Sequence, residues 1–155
     1  MKKLLITTLS LIAISAHAEN SMVILTGNCD KIVYMDAAIS PDLCLGKVVN
    51  MALGNGRNGF TYFTKGEKNS TIVSFFGVGQ KQIHTDKNHV IQPIDKVRFA
   101  INGKEGDLDA VGSCAFANPY MGKPVRVDCE AKTSRGSFVG RFVSDGSSPD
   151  TSAMK

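Results

Sequence analysis

SCAFANPYMGKPVRVDCEAKT, residues 113–133, decides how the rest of the chain reads. On the way in, Cys114 and Phe116 alternate with small residues. On the way out, Val125, Val127, Cys129 and Ala131 alternate with Arg126, Asp128 and Glu130. A period of two is the pattern of a half-buried strand. Between the arms, Asn118-Pro119-Tyr120-Met121-Gly122-Lys123-Pro124 gathers turn-forming residues. If Cys114 faces Cys129 across an antiparallel pair, Phe116 must face Val127. One register then puts both sulfurs and both large apolar side chains on the same face.

The other two cysteines extend this reading. Of the three connectivities that four cysteines allow, the local one, Cys29–Cys44 with Cys114–Cys129, is expected. Each bridge closes a loop of about fifteen residues, worth ~3 kcal/mol in the chain-entropy account. A zinc site built from the four thiolates is the rival, and the chain has no Cys-x-x-Cys pair to support it.

Pairing also fits the N-terminus. Lys2 and Lys3 precede an apolar run over residues 4–14, and Ala16-His17-Ala18 forms a small-residue cleavage site before Glu19. Residues 1–18 therefore read as a secretory signal peptide, with the periplasm or the exterior as destination. The run is too short to span a bilayer, so no membrane insertion is expected after processing. Without Lys2 and Lys3 the chain keeps sixteen basic and fourteen acidic residues, a net charge of +2. Interspersed signs and near-neutrality give no electrostatic case for nucleic acid.

Outward from the hairpin, short β-prone runs alternate with turn signals. Strands are expected at 22–26, 31–35, 44–53, 60–64, 70–76, 89–92, 94–101, 108–111 and 137–143. A turn is expected over residues 27–30, a single helical turn at Ser40-Pro41, and a tight turn at Asn102-Gly103. Pro93 closes the strand before it. No run of ten residues has helical periodicity. The fold expected is all-β: one domain over residues 19–143, a single antiparallel β-sandwich or small β-barrel braced by two disulfides. Residues 144–155 lack a core-forming pattern and read as a disordered tail.

Few motifs carry chemistry. Gly54-x-Gly56-x-x-Gly59 spells the dinucleotide fingerprint, but Gly59 leads into Phe60-Thr61-Tyr62-Phe63-Thr64, a strand where the pyrophosphate needs a helix N-terminus. The loop could still touch a ligand, and Arg57 is its best-placed side chain. His84 and His89, five apart, would need a loop to share a metal. Asp107 and Asp109 lie on one side of a strand, close enough to couple their titrations. No nucleophile elbow, zinc-protease helix or phosphate loop is present. Neither catalytic residue, metal nor cofactor is assigned. Tyr120 and Met121, at the hairpin tip, are the side chains best suited to a protein contact.

Three stretches carry a resemblance: Asn55-Gly56-Arg57-x-Gly59-Phe60, then Ser74-Phe75-Phe76-Gly77-x-Gly79-Gln80-x-Gln82, then the Cys114–Cys129 hairpin with Asn118-Pro119. Together they resemble small exported bacterial β-proteins without an assigned activity, which transfers no functional residue. Size, leader and cysteine number are similar to those of periplasmic lysozyme inhibitors, as an analogy of architecture. The function expected is a non-catalytic exported binding module whose partner is a protein or glycan of the cell envelope. The alternatives are an inhibitor whose hairpin tip plugs a cell-wall or host hydrolase, and a small carboxylate-dependent hydrolase.

Overall fold

A computed structural model describes residues 19–154; the expected signal peptide, residues 1–18, lies outside them. Among these residues ten strands are present: β1 (Ser21–Tyr34), β2 (Ala37–Ile39), β3 (Cys44–Ala52), β4 (Arg57–Lys65), β5 (Ser70–Val78), β6 (Ile83–His84), β7 (His89–Ile101), β8 (Lys104–Ala117), β9 (Arg126–Thr133) and β10 (Gly136–Ser144). Eight of them form a closed antiparallel barrel in the order β10-β9-β8-β7-β5-β4-β3-β1, with β10 returning to pair with β1. Apart from the two short strands, each strand neighbours the next in sequence. β2 lies beside β1, and β6 beside β7. Closure settles barrel over sandwich, and it removes the bare edges that an open sheet leaves.

The register in the hairpin is the one its pattern requires. Cys114 pairs with Cys129 and Phe116 with Val127, and both local disulfides, Cys29–Cys44 and Cys114–Cys129, are formed. Such bridges belong to an oxidising compartment. Asn102 and Gly103 turn β7 into β8 with positive φ at both residues, as expected for that dipeptide. Pro41–Leu43 forms the single helical turn after Ser40.

Inward-facing residues fill the barrel. Tyr62, Phe75, Phe138, Phe142, Val97 and Val127 are fully buried, each worth roughly 1.5–3 kcal/mol if aliphatic or phenylalanine-like. The outward faces of β7 to β9 carry Lys96, Arg98, Glu105, Asp107, Asp109, Glu130 and Lys132 instead. A largely apolar interior and charges on the outer wall of β7 to β9 are the reverse of a porin-like barrel. No helix among the described residues is long and apolar enough to cross a membrane.

Three local expectations are corrected. Residues 27–30 are not a turn: β1 runs through them, with a bulge between Cys29 and Lys31. Gly27 is needed there because the backbone of Val143 comes so close that a Cβ would lie 2.0 Å from its carbonyl oxygen. Likewise Pro93 does not end a strand, since β7 continues through it to a bulge between Ile94 and Lys96. The Pro93 carbonyl faces β5, and its nitrogen therefore faces the same side, beyond the last β5–β7 pair, Phe76↔Lys96. A missing N–H costs no ladder bond at that position.

The third correction concerns the C-terminal segment. The Asp145 N–H donates to the Thr26 carbonyl at 2.8 Å, and Ile24 and Asp150 exchange two backbone bonds of 2.9 Å. Pairing between β10 and β1 begins only at Gly27, which leaves the first residues of β1 with bonding groups to satisfy. The segment after Ser144 satisfies them.

Candidate binding site at the disulfide hairpin

The β8–β9 connection, residues 118–125, is held from several directions. Beneath it, Cys114 is bonded to Cys129. Within it, the Asn118 side-chain oxygen accepts the Tyr120 N–H at 3.0 Å and opens a 3₁₀ turn over Pro119–Met121. Gly122 leaves that turn in the left-handed region, φ 68°, where a side chain would be costly. To one side, the Asn118 N–H donates to the Asn88 carbonyl at 2.8 Å. To the other, the Val125 N–H donates to Ser144 Oγ and the Ser144 N–H returns to the Val125 carbonyl, both at 2.9 Å.

On this braced turn Tyr120 is 63% exposed. Met121 is turned toward the barrel and lines a groove of about 580 Å³ with Ile91, Ala115, Phe116, Pro124 and Val125. Polar and ionisable groups rim the groove. His89 Nδ1 lies 2.8 Å from the Asp86 carboxylate. The Asn88 backbone N–H, and after it the His89 ring, hold the Asp86 carboxyl below its usual range. Arg126 is shared between Asp30, at 2.9 Å, and Asp128, at 3.1 Å. Lys123 completes the rim and forms no ion pair among the described residues. The groove thus has an apolar floor inside a polar rim.

The three residues singled out from the sequence do not form one cluster. Tyr120 and Met121 are neighbours on the turn. Arg57 opens β4 and clasps Asp95 on the β7 bulge through both terminal guanidinium nitrogens, and it does not line the groove. The Arg57 hydrogen bond is the main reason the Asp95 carboxyl is held low. The glycine-rich stretch does lead into a strand, β4, as its sequence requires.

Asp107 and Asp109 are each engaged by a different cation. The Arg98 guanidinium donates to Asp107 at 2.7 and 3.0 Å across the β7–β8 ladder, and Lys96 donates to Asp109 at 3.1 Å. Arg98 holds the Asp107 carboxyl low, opposite to what a general acid needs. His84 lies in β6 opposite Val90. Among the described residues, no group of three His, Cys, Asp or Glu is placed to hold a metal.

The sequence reading missed the contribution of residues 85–91 to the groove. Asn88 and Asn118 are thirty residues apart and meet only because β7 and β8 pair from His89↔Ala117 downward. The available signal was Asp86 three residues before His89, a spacing that suits a turn closed by its own side chains. No family model, curated protein or solved structure matches the chain.

Proposed function

We propose that the protein is a non-catalytic binding module, exported to the periplasm or secreted, that engages a protein of the cell envelope through residues 119–123 and the groove beside them. The observation that carries this reading is Tyr120: a largely exposed aromatic on a turn fixed by a disulfide and by backbone bonds to two other segments. An anchor already held in place loses little conformational entropy on binding, and Tyr is enriched among residues that dominate interface energies. Met121 adds a soft apolar surface that adapts to its partner. The leader-like residues 1–18 support export. A narrower reading makes the partner a hydrolase whose open cleft accepts the protruding Tyr120.

The test immobilises the oxidised protein, captures partners from cell-envelope extract, identifies a stoichiometric one by mass spectrometry and measures its affinity. Tyr120→Ala is expected to weaken binding about thirtyfold, a 2 kcal/mol loss, and Arg57→Ala to leave it unchanged. A partner bound equally well after Tyr120→Ala and Met121→Ala are combined would refute the tip as the site. Stoichiometric loss of a captured hydrolase's activity would establish the narrower reading, and undiminished turnover in the complex would exclude it.

A further inference from the structure

At the far end of the barrel the wall is interrupted. β3 pairs with β1 only along Ser21–Thr26, and β2 takes its place beside Ile32–Tyr34. β3 meets β4 again at Cys44↔Thr64, after a break in register between Cys44 and Val48. β2 has β1 as its one neighbour. Between β2 and the ends of β4, β5 and β7 lies a cleft of about 590 Å³.

Its walls are apolar, from Met35, Ile39, Leu43 and Ile101, and Leu43 is 40% exposed. Its floor carries hydroxyls. Thr64 and Thr71 stand opposite each other on β4 and β5, both buried and both on the cleft. Tyr34, only 4% exposed, lies beside them; its hydroxyl faces Thr64 without a hydrogen bond of good geometry. Burial raises the Tyr34 pKa well above the ordinary tyrosine value, so the hydroxyl keeps its proton and can donate it. Lys65 and Glu67 reach the rim with opposite signs, and no ionised group lines the floor.

We propose that this cleft is a binding site for a small uncharged amphiphile, its aliphatic body against Met35, Ile39, Leu43 and Ile101 and its hydroxyl or carbonyl head among the hydroxyls of Tyr34, Thr64 and Thr71. An apolar cleft with a few converging polar groups is the usual form of a small-molecule site, and barrel mouths are a common place for one. The head is neutral because hydroxyls alone do not repay the desolvation of a charge. The Tyr34 hydroxyl is enclosed and has no hydrogen-bond partner of its own, and an acceptor pressed into the floor supplies one. β2, three residues long, is too short an edge for strand addition by a peptide to be the main attraction. The site lies at the opposite end of the barrel from the hairpin groove and is independent of it.

The experiment titrates the oxidised, isotope-labelled protein with decan-1-ol, decanoate and decylammonium, three heads on one chain, and follows backbone amide resonances. Decan-1-ol is expected to give saturable shifts confined to residues 34–43, 64–71 and 101–102, with the two ions bound about tenfold more weakly. Leu43→Asp, at a partly exposed position, is expected to abolish those shifts, and Tyr34→Phe to weaken decan-1-ol several-fold while the spectrum stays that of the folded barrel. If Tyr34→Phe does not fold, Thr64→Val makes the same test of the floor. The proposal fails if decan-1-ol gives no saturable shift, if the three heads bind alike, if the shifts fall in the hairpin groove, or if Leu43→Asp binds as the parent does.

Discussion

The Tyr62 hydroxyl crosses the barrel from β4 and donates to the carbonyl of Val127 on β9 at 2.8 Å, with the Gly140 carbonyl on β10 also in reach at 3.0 Å. Phe75 meets the ring edge-on, centroids 5.7 Å apart. Opposite strands of the barrel are thereby joined through its core by one side chain.

Tyr62→Phe should destabilise the protein by about 1–2 kcal/mol, since a buried hydrogen bond is lost and the ring retained. Gly140→Ala should cost more, roughly 2–3 kcal/mol, because its new Cβ would sit 2.6 Å from the Tyr62 ring. Urea unfolding of both variants measures this. The ordering is the test: Gly140→Ala less damaging than Tyr62→Phe would mean that the ring does not fill the space beside β10.

Replacing Cys114 and Cys129 together by Ala should cost about 3 kcal/mol for the loop they close. It should also speed amide exchange in residues 118–124 more than elsewhere, because the hairpin tip loses its nearest brace. Exchange mass spectrometry reads the second effect. Uniform acceleration over all strands would show that the bridge stabilises the barrel as a whole and not the tip.

Acid should remove a small part of the stability through Asp95 and Asp107. Both carboxyls are held below their ordinary range by hydrogen bonds from Arg57 and Arg98. A lowered folded pKa stabilises above the unfolded value, near 4, and that contribution disappears as pH falls through the folded value. Both groups are substantially exposed, so each pair is worth at most about 1 kcal/mol. The combined variant Arg57→Ala with Arg98→Ala should show a shallower loss of stability from about pH 5 to pH 2 than the parent, measured by unfolding midpoints. Parallel curves would show that these pairs do not stabilise the fold.

The β1–β2 turn places Met35 and Asp36 at positive φ, 50° and 65°. This costs about 1 kcal/mol for a residue with a side chain. Asp36 offsets the cost by accepting the Ser137 N–H at 2.9 Å. Asp36→Gly should therefore be within about 0.5 kcal/mol of the parent, trading that bond for relief of strain. Asp36→Ala keeps the strain without the bond and should lose about 1–2 kcal/mol. Thermal unfolding of the two variants decides it; equal losses would mean that the turn conformation is not what the carboxylate stabilises.

Much of this fold is written locally. The alternation on both sides of residues 118–124 set the register of Cys114 with Cys129 and of Phe116 with Val127, because period two admits only one inward set. Asn102-Gly103 specified its own turn, and the aromatic and β-branched runs specified strands over a helix. Tyr120 and Met121 were legible for the same reason: a turn between paired strands must place its residues at the surface.

What local chemistry could not specify is which segments meet. Gly27 and Pro93 look like strand breaks because both weaken an isolated strand, and only the close approach of Val143 and the end of β5 make them compatible with continuous ones. Arg57 reads as a free loop cation until β7 bulges at Asp95 and captures it. The groove needs Asn88 beside Asn118, and the far cleft needs β2 beside the part of β1 that β3 does not reach. Propensity and alternation act over a few residues, so the sequence determined the all-β class, most of the strand segments, the Asn102-Gly103 turn and the sulfur pairing. The tertiary pairings, from the β7–β8 ladder and its bulge to the closure of β1 on β10, decided where the bonding groups, charges and cavities converge, because they join segments far apart in the chain.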